Sequence, residues 1–261
     1  MRIRPVLLLS LVAVLFGCQT STLPNPNAPE DVGPLSADNM KDQLGSISDS
    51  LQIHVWHQEI TDKEYRELMQ QAAEGLLKGY TADRIEPAKA WKYAEVLVTA
   101  HRWPDAKVAL EIAVEWAKRN HNEDRRVNDS LHLARVLSEL GQVEEAIKLA
   151  RTVFDVRPVD GAPILYGVLD EIVPAGRGKG KDLELARLVE DAIAITQRVQ
   201  VDPSSQSGQL FLRYRPERIR RGWFTAALLY DHSKRPDLAD KARANAHAIG
   251  RGYVPEQRVK V

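Results

Sequence analysis

Chemistry-bearing residues in this 261-residue chain are few and scattered. His54 and His57, with Glu59 following, have a spacing that can place two imidazoles on one face of a helix. A zinc site needs a third and fourth ligand, and no H-E-x-x-H supplies them. The plainer reading is an amphipathic helix surface around Trp56. Gly176 to Lys181 reads GRGKGK, and glycines beside Arg177, Lys179 and Lys181 at a helix start can hold a phosphate or carboxylate. A P-loop needs G-x₄-G-K-[ST] after a strand, whereas Asp182 follows Lys181 and no strand precedes it. A solvated turn with an incidental anion contact accounts for the same residues. Arg213, Arg215, Arg218, Arg220 and Arg221 crowd the stretch before the last helix pair, either as a surface for an acidic polymer, headgroup or peptide, or as a solvated run paired with acids such as Glu217 and Asp231. No G-x-S-x-G is present, and His101, His121, His132, His232 and His247 form no motif. No cofactor or resident metal is implied.

Composition narrows the classes further. The chain is 44% hydrophobic and carries 36 basic against 36 acidic residues, enough apolar material for a core and no basic excess for nucleic acid. A single cysteine excludes a disulfide framework.

The elements that position these residues read as helices. Val143, Ala146, Ile147, Ala150, Val153 and Phe154 recur at helical spacing, as do Leu133, Leu137 and Leu140 before them. Gly141 separates the two runs and predicts an antiparallel pair. No segment alternates as a strand would, so the sequence predicts an all-α chain. Ala106, Ala146 and Ala186 stand 40 residues apart, and Ala239 follows 53 later. Ala90, Ser130 and Trp223 each lie 16 residues before one of these alanines. A helix pair cannot bury its apolar face alone, so repeated pairs are expected to stack.

On these residues the chain resembles the tetratricopeptide repeat family, whose pattern runs W-x₂-L-G-x₂-Y, then A-x₃-F, then P. Val127 to Pro158 matches best, with Ser130, Leu133, Ala134 and Leu137 in the first helix, Ala146 and Ala150 in the second, and Pro158 closing it. Trp223, Ala226, Ala227, Tyr230 and Ala239 repeat the pattern, as do Ala90, Tyr93, Ala94, Leu97, Ala106 and Leu110. The resemblance implies a right-handed α-solenoid of helical hairpins over residues 85–250. The pair around Ala186 departs from it, and its first helix is expected from Ile164 to Val173, ending at Pro174 and joined by a long loop to Leu183–Gln197. A degenerate hairpin is expected over 37–84, with helices at 37–58 and 61–78 and a capping box of Thr61 and Glu64. Residues 251–261 form a tail.

The start of the chain carries a second resemblance. Arg2 and Arg4 precede an apolar run from Val6 to Phe16 that is too short to span a bilayer as a helix. Its end, Leu15-Phe16-Gly17-Cys18, resembles the lipobox of bacterial lipoproteins, which implies a signal peptide over 1–17, an acylated Cys18 and cell-envelope anchoring. In that family Gln19, not Asp, after the cysteine favours the periplasmic face of an outer membrane where the host has one. Cleavage would remove Arg2 and Arg4, leaving 34 basic against 36 acidic residues. Residues 18–36, with Pro24, Pro26, Pro29 and Pro34, read as an extended tether.

The expected function is a membrane-anchored protein–protein interaction scaffold rather than an enzyme. In tetratricopeptide proteins the first helices of successive pairs line a groove for a peptide or partner protein. The matching positions here are Trp91, Glu95, Asn128, Arg135, Arg221 and Asp231. Ordinary exposed helix surface is the plainer reading of each. The alternatives are an accessory subunit or hydrolase on an envelope substrate, using the His54–His57 region or the arginine cluster, and self-assembly through the repeat ends.

Overall fold

A computed structural model describes residues 36–81, 85–155 and 164–250. The expectations for residues 1–35 (signal peptide, Cys18 and most of the tether) and for the tail at 251–261 lie outside these residues. The described chain is all-α, with no strand among the described residues.

Its helices are α1 (Ala37–Trp56), α2 (Asp62–Leu76), α3 (Ala90–Thr99, after a 3₁₀ turn at Pro87–Lys89), α4 (Trp103–Arg119), α5 (Glu123–Glu139) and α6 (Val143–Arg151). There follow α7, which runs from Ile164–Gly167 through a π-helical stretch, Val168–Ile172, into Val173–Gly176, then α8 (Asp182–Arg198), α9 (Gln206–His232) and α10 (Pro236–Gly250).

Side chains start these helices. Ser36, Asn122 and Ser205 each accept a hydrogen bond from the backbone N–H three residues on. Thr61 and Glu64 form the reciprocal capping box. The helices stop in a repeated way. After α1, α3, α4, α5 and α9 one residue turns left-handed: Gln58, His101, His121, Gly141 and Lys234. The next N–H then bonds back to the third-last helical carbonyl, as in Arg102 to Leu97 at 2.9 Å, Asn122 to Ala117 at 3.0 Å and Gln142 to Leu137 at 2.8 Å. Three residues therefore reverse the chain between α3 and α4, α4 and α5, α5 and α6, and α9 and α10. Since α4 and α5 are each 17 residues long, helix plus turn takes 20 residues and a pair takes 40. That arithmetic is the origin of the 40-residue spacing in the sequence.

Burial follows the same rhythm. Ala106, Ala146 and Ala239 are each the fourth residue of their helix, and all three are fully buried, as is Ala186 in α8. Ala90, Ala94, Ser130, Ala134 and Ala227 are buried too, where small side chains let helices approach. Consecutive helices pack on one another, and α1 also meets α3, α5 meets α7, and α6 meets α8. One apolar core runs from Met40 in α1 to Ala242 in α10.

Several boundaries differ from expectation. Leu140 is the capping residue of α5, so it leaves the helix and stands exposed instead of joining Leu133 and Leu137 in the core. Helix α7 continues through Pro174 to Gly176, and the loop to α8 shortens to 177–181. A proline ring normally strikes the carbonyl four residues back, but the wider π turn immediately before Pro174 displaces that carbonyl. The arginine run is the first half of the 27-residue α9, not a segment before the last pair. Helix α7 also lies close to α5: a Cβ on Gly167 would stand 2.8 Å from Leu131 Cδ1.

Candidate functional site

The first helices of successive pairs, α1, α3, α5, α7 and α9, are joined along one side by polar and aromatic side chains. Lys41 of α1 forms an ion pair with Glu95 of α3 at 2.5 Å, and Asp38 of α1 bonds Lys92 of α3. Those lysine bonds, from Lys92 and then Lys89, hold the Asp38 carboxyl below its usual range. Trp91 of α3 is half-buried, with the Lys41 ammonium 4.1 Å from its ring centroid and the Arg125 guanidinium of α5 at 3.9 Å. Arg125 also bonds Asp129, one turn along α5. His132 of α5 meets Glu171 of α7 at 3.2 Å, and Arg221 of α9 meets Asp170 of α7. Arg218 of α9 lies over the Tyr166 ring of α7 at 5.3 Å. The result is a continuous belt across five helices.

Helical periodicity explains the membership. Trp91 and Glu95 are one turn apart on α3, and Arg125, Asn128, Asp129, His132 and Arg135 fall on one face of α5. The π turn at Val168–Ile172 contributes Asp170 and Glu171 together, where a regular helix would rotate one of them away.

The electrostatics at the centre are specific. Burial pushes the Asp129 carboxyl above its usual range, and the neighbouring Arg125 charge only partly opposes this. Burial disfavours the charge on His132, but the Glu171 hydrogen bond and the charges of Glu171, Asp129 and Glu95 outweigh it and raise its pKa. Burial likewise disfavours the Glu171 anion, but the His132 bond and the charges of His132 and Arg135 lower its pKa on balance. Each partner thus favours the charged form of the other. Three buried atoms of the belt, Arg125 Nε, Asp170 Oδ2 and Glu171 Oε2, make no hydrogen bond within the protein. One donor and two acceptors in a row suit a chain that offers both N–H and C=O groups.

Five of the six expected groove positions fall on this belt: Trp91, Glu95, Asn128, Arg135 and Arg221. Asp231 does not join it, because it bonds Arg243 of α10 within the last hairpin. Lys41, Arg125, His132, Asp170 and Glu171 were not singled out as groove residues by the sequence. His132 and Arg125 were findable from the helical face they share with Asn128, but the π turn that pairs Asp170 with Glu171 has no sequence signal.

The other candidates are structural in their surroundings. Lys179 donates to the carbonyls of Ser138 at 2.8 Å and Glu139 at 3.2 Å, closing the end of α5. Lys181 forms ion pairs with Glu144 at 3.3 Å and Glu184 at 3.8 Å. Asp182 accepts from the Gly178 N–H at 2.8 Å, and Arg177 is exposed. His54 bonds Glu59 at 2.5 Å, while Trp56 beside it is exposed. Among the described residues no group of three His, Cys, Asp or Glu side chains is placed to hold a metal ion, and no helix is long and apolar enough to cross a membrane.

Set against known proteins, the sequence matches no family model and no curated protein.

Proposed function

We propose that this protein is a membrane-anchored interaction scaffold of the cell envelope, a right-handed α-solenoid of tetratricopeptide-like hairpins held at the membrane through an acylated Cys18. The observation that carries the reading is the belt. It links the first helices of five successive pairs, offers the Trp91 ring flanked by two cations, and leaves Arg125 Nε, Asp170 Oδ2 and Glu171 Oε2 free to bond a ligand chain. An aromatic anchor among charged groups is the composition of binding hot spots. The shared three-residue turns and the fully buried alanines at the fourth helical position support a repeat array, with a 40-residue period set by 17-residue helices. The lipobox-like Leu15-Phe16-Gly17-Cys18 and the proline-rich stretch after it support anchoring through a tether. The mechanism is binding without chemistry: a segment of a partner is laid across α3, α5 and α7 and kept near the membrane.

The test is affinity enrichment from detergent-solubilised host envelope on immobilised residues 19–261, beside a bait carrying Trp91→Ala and Arg135→Glu. One protein enriched by the wild type and lost from the double variant supports the reading. Equal recovery on both baits refutes the belt as the binding surface.

A further inference from the structure

The outward face of α9 continues the belt with a different composition. Five arginines lie between positions 213 and 221, against the single acid Glu217. Three of them are engaged: Arg220 makes two bonds to Glu217 at 2.9 Å, Arg221 pairs with Asp170, and Arg215 donates to the Val199 carbonyl at 3.3 Å. Arg213 and Arg218 have no carboxylate partner among the described residues. Each lies near an aromatic ring, Arg213 at 5.7 Å from that of Tyr214 and Arg218 at 5.3 Å from that of Tyr166. A guanidinium stacked on a ring keeps its N–H fork at the edge, where a carboxylate can take it bidentately. Around them stand exposed apolar side chains: Leu210 and Tyr214, one turn apart on α9, and Tyr166 of α7, all at least 45% exposed.

We infer that this end of the belt is a subsite for an acidic, apolar-anchored peptide segment. Resting on the scaffold reading above, the inference names the class of partner. An aliphatic or aromatic side chain of the segment packs on Leu210, Tyr214 and Tyr166, and flanking carboxylates pair with Arg213 and Arg218. Charge complementarity selects the sign, since the two unpaired groups are cations. Position selects a peptide over a bilayer. Asp170, Glu171, Glu217 and Glu95 lie on the same side of the helices and repel an anionic lipid surface, whereas a peptide can set its carboxylates at two chosen points.

The test is fluorescence anisotropy with the purified chain and a fluorescein-labelled synthetic peptide that repeats Glu-Leu-Asp-Phe. Comparison peptides replace the acids with Lys, or the Leu and Phe with Ser. The expected result is binding of the first peptide only, weakened by about tenfold or more in Arg213→Glu/Arg218→Glu and by raised salt. The milder pair Arg213→Gln/Arg218→Gln, with helicity checked by circular dichroism, must show the same direction. Equal binding of the Lys or Ser peptide overturns the inference, as does unchanged affinity in the α9 variants. Binding of phosphatidylglycerol vesicles in place of the peptide overturns it in favour of a membrane surface. Peptide binding lost only in Trp91→Ala/Arg135→Glu overturns this subsite while leaving the scaffold reading standing. Peptide binding indifferent to both variant sets removes both.

Discussion

Replacing Gly167 with alanine drives a methyl group into the seam between α5 and α7. The added Cβ would stand 2.8 Å from Leu131 Cδ1, 3.2 Å from its Cβ and 3.4 Å from its Cγ, inside the optimum of about 3.5–4.0 Å for carbon pairs. Rotating the end of Leu131 relieves the first contact. The second cannot be relieved that way, because Cβ is fixed to the α5 backbone, so the two helices must part by a few tenths of an ångström. In an unconstrained helix the same change would gain roughly 0.5–1 kcal/mol through backbone entropy and propensity. Overpacking a tight interface costs about 1–3 kcal/mol, leaving a net loss of about 1 kcal/mol. The displacement also reaches the belt. Glu171 lies one turn beyond Gly167 and meets His132, the neighbour of Leu131, at 3.2 Å. Parting the helices lengthens that contact, and the His132 pKa is expected to fall towards its ordinary 6.5. Urea unfolding followed by circular dichroism reads the first effect, and an NMR titration of the His132 ring reads the second. In a Leu131→Ala background, which removes the Cγ and Cδ atoms, the cost of Gly167→Ala is expected to shrink measurably. A variant as stable as the wild type, with an unchanged His132 titration, would refute the argument that this close approach holds α7 against α5.

Three further outcomes follow from the same structure. His121 is exposed and left-handed at φ 50°, so His121→Gly is expected to raise stability by about 1 kcal/mol in urea unfolding. Lys179 closes the last carbonyls of α5, and Lys179→Met is expected to cost about 1 kcal/mol and to speed amide exchange in the 177–181 loop. The His132–Glu171 pair carries a pH dependence of defined sign. The raised His132 pKa means that its contribution is complete below its unfolded value of 6.5 and is lost as pH rises through the folded value. Glu171 is shifted downward from 4.5, so its contribution is present above that value and is lost as pH falls through the folded one. The stability advantage of wild type over His132→Gln is therefore expected to peak between these limits and to shrink from about pH 6 to pH 9 in parallel unfolding curves.

The parts of the fold that depend on local periodicity were readable in the sequence. Ala106, Ala146 and Ala239 marked fully buried helix positions, and Thr61 with Glu64 marked a helix start, because burial and capping both need particular residue types at fixed offsets. Turn chemistry was readable only at Gly141. The equivalent left-handed position is held by His101, His121 and Lys234, residues that do not announce a positive φ, so the identity of these turns stayed hidden. The π turn was invisible for a related reason. It is a register shift imposed by packing of Ile164, Leu165, Val168 and Ile172 into the core, and it alone sets Asp170 and Glu171 side by side. The belt was partly legible: Trp91, Glu95, Asn128, Arg135 and Arg221 followed from the first-helix pattern. Their partners on neighbouring helices depend on inter-helix distances that spacing along one helix does not encode.

The most direct test of the belt as the binding surface is site-specific photo-crosslinking in the native cells. Benzoylphenylalanine would replace the exposed Asn128 on α5 or, as control, the exposed Lys118 on α4. The account predicts a discrete heteroadduct from position 128, lost when Trp91→Ala and Arg135→Glu are added, and none from position 118. A discrete adduct from position 118 with none from position 128 would contradict it.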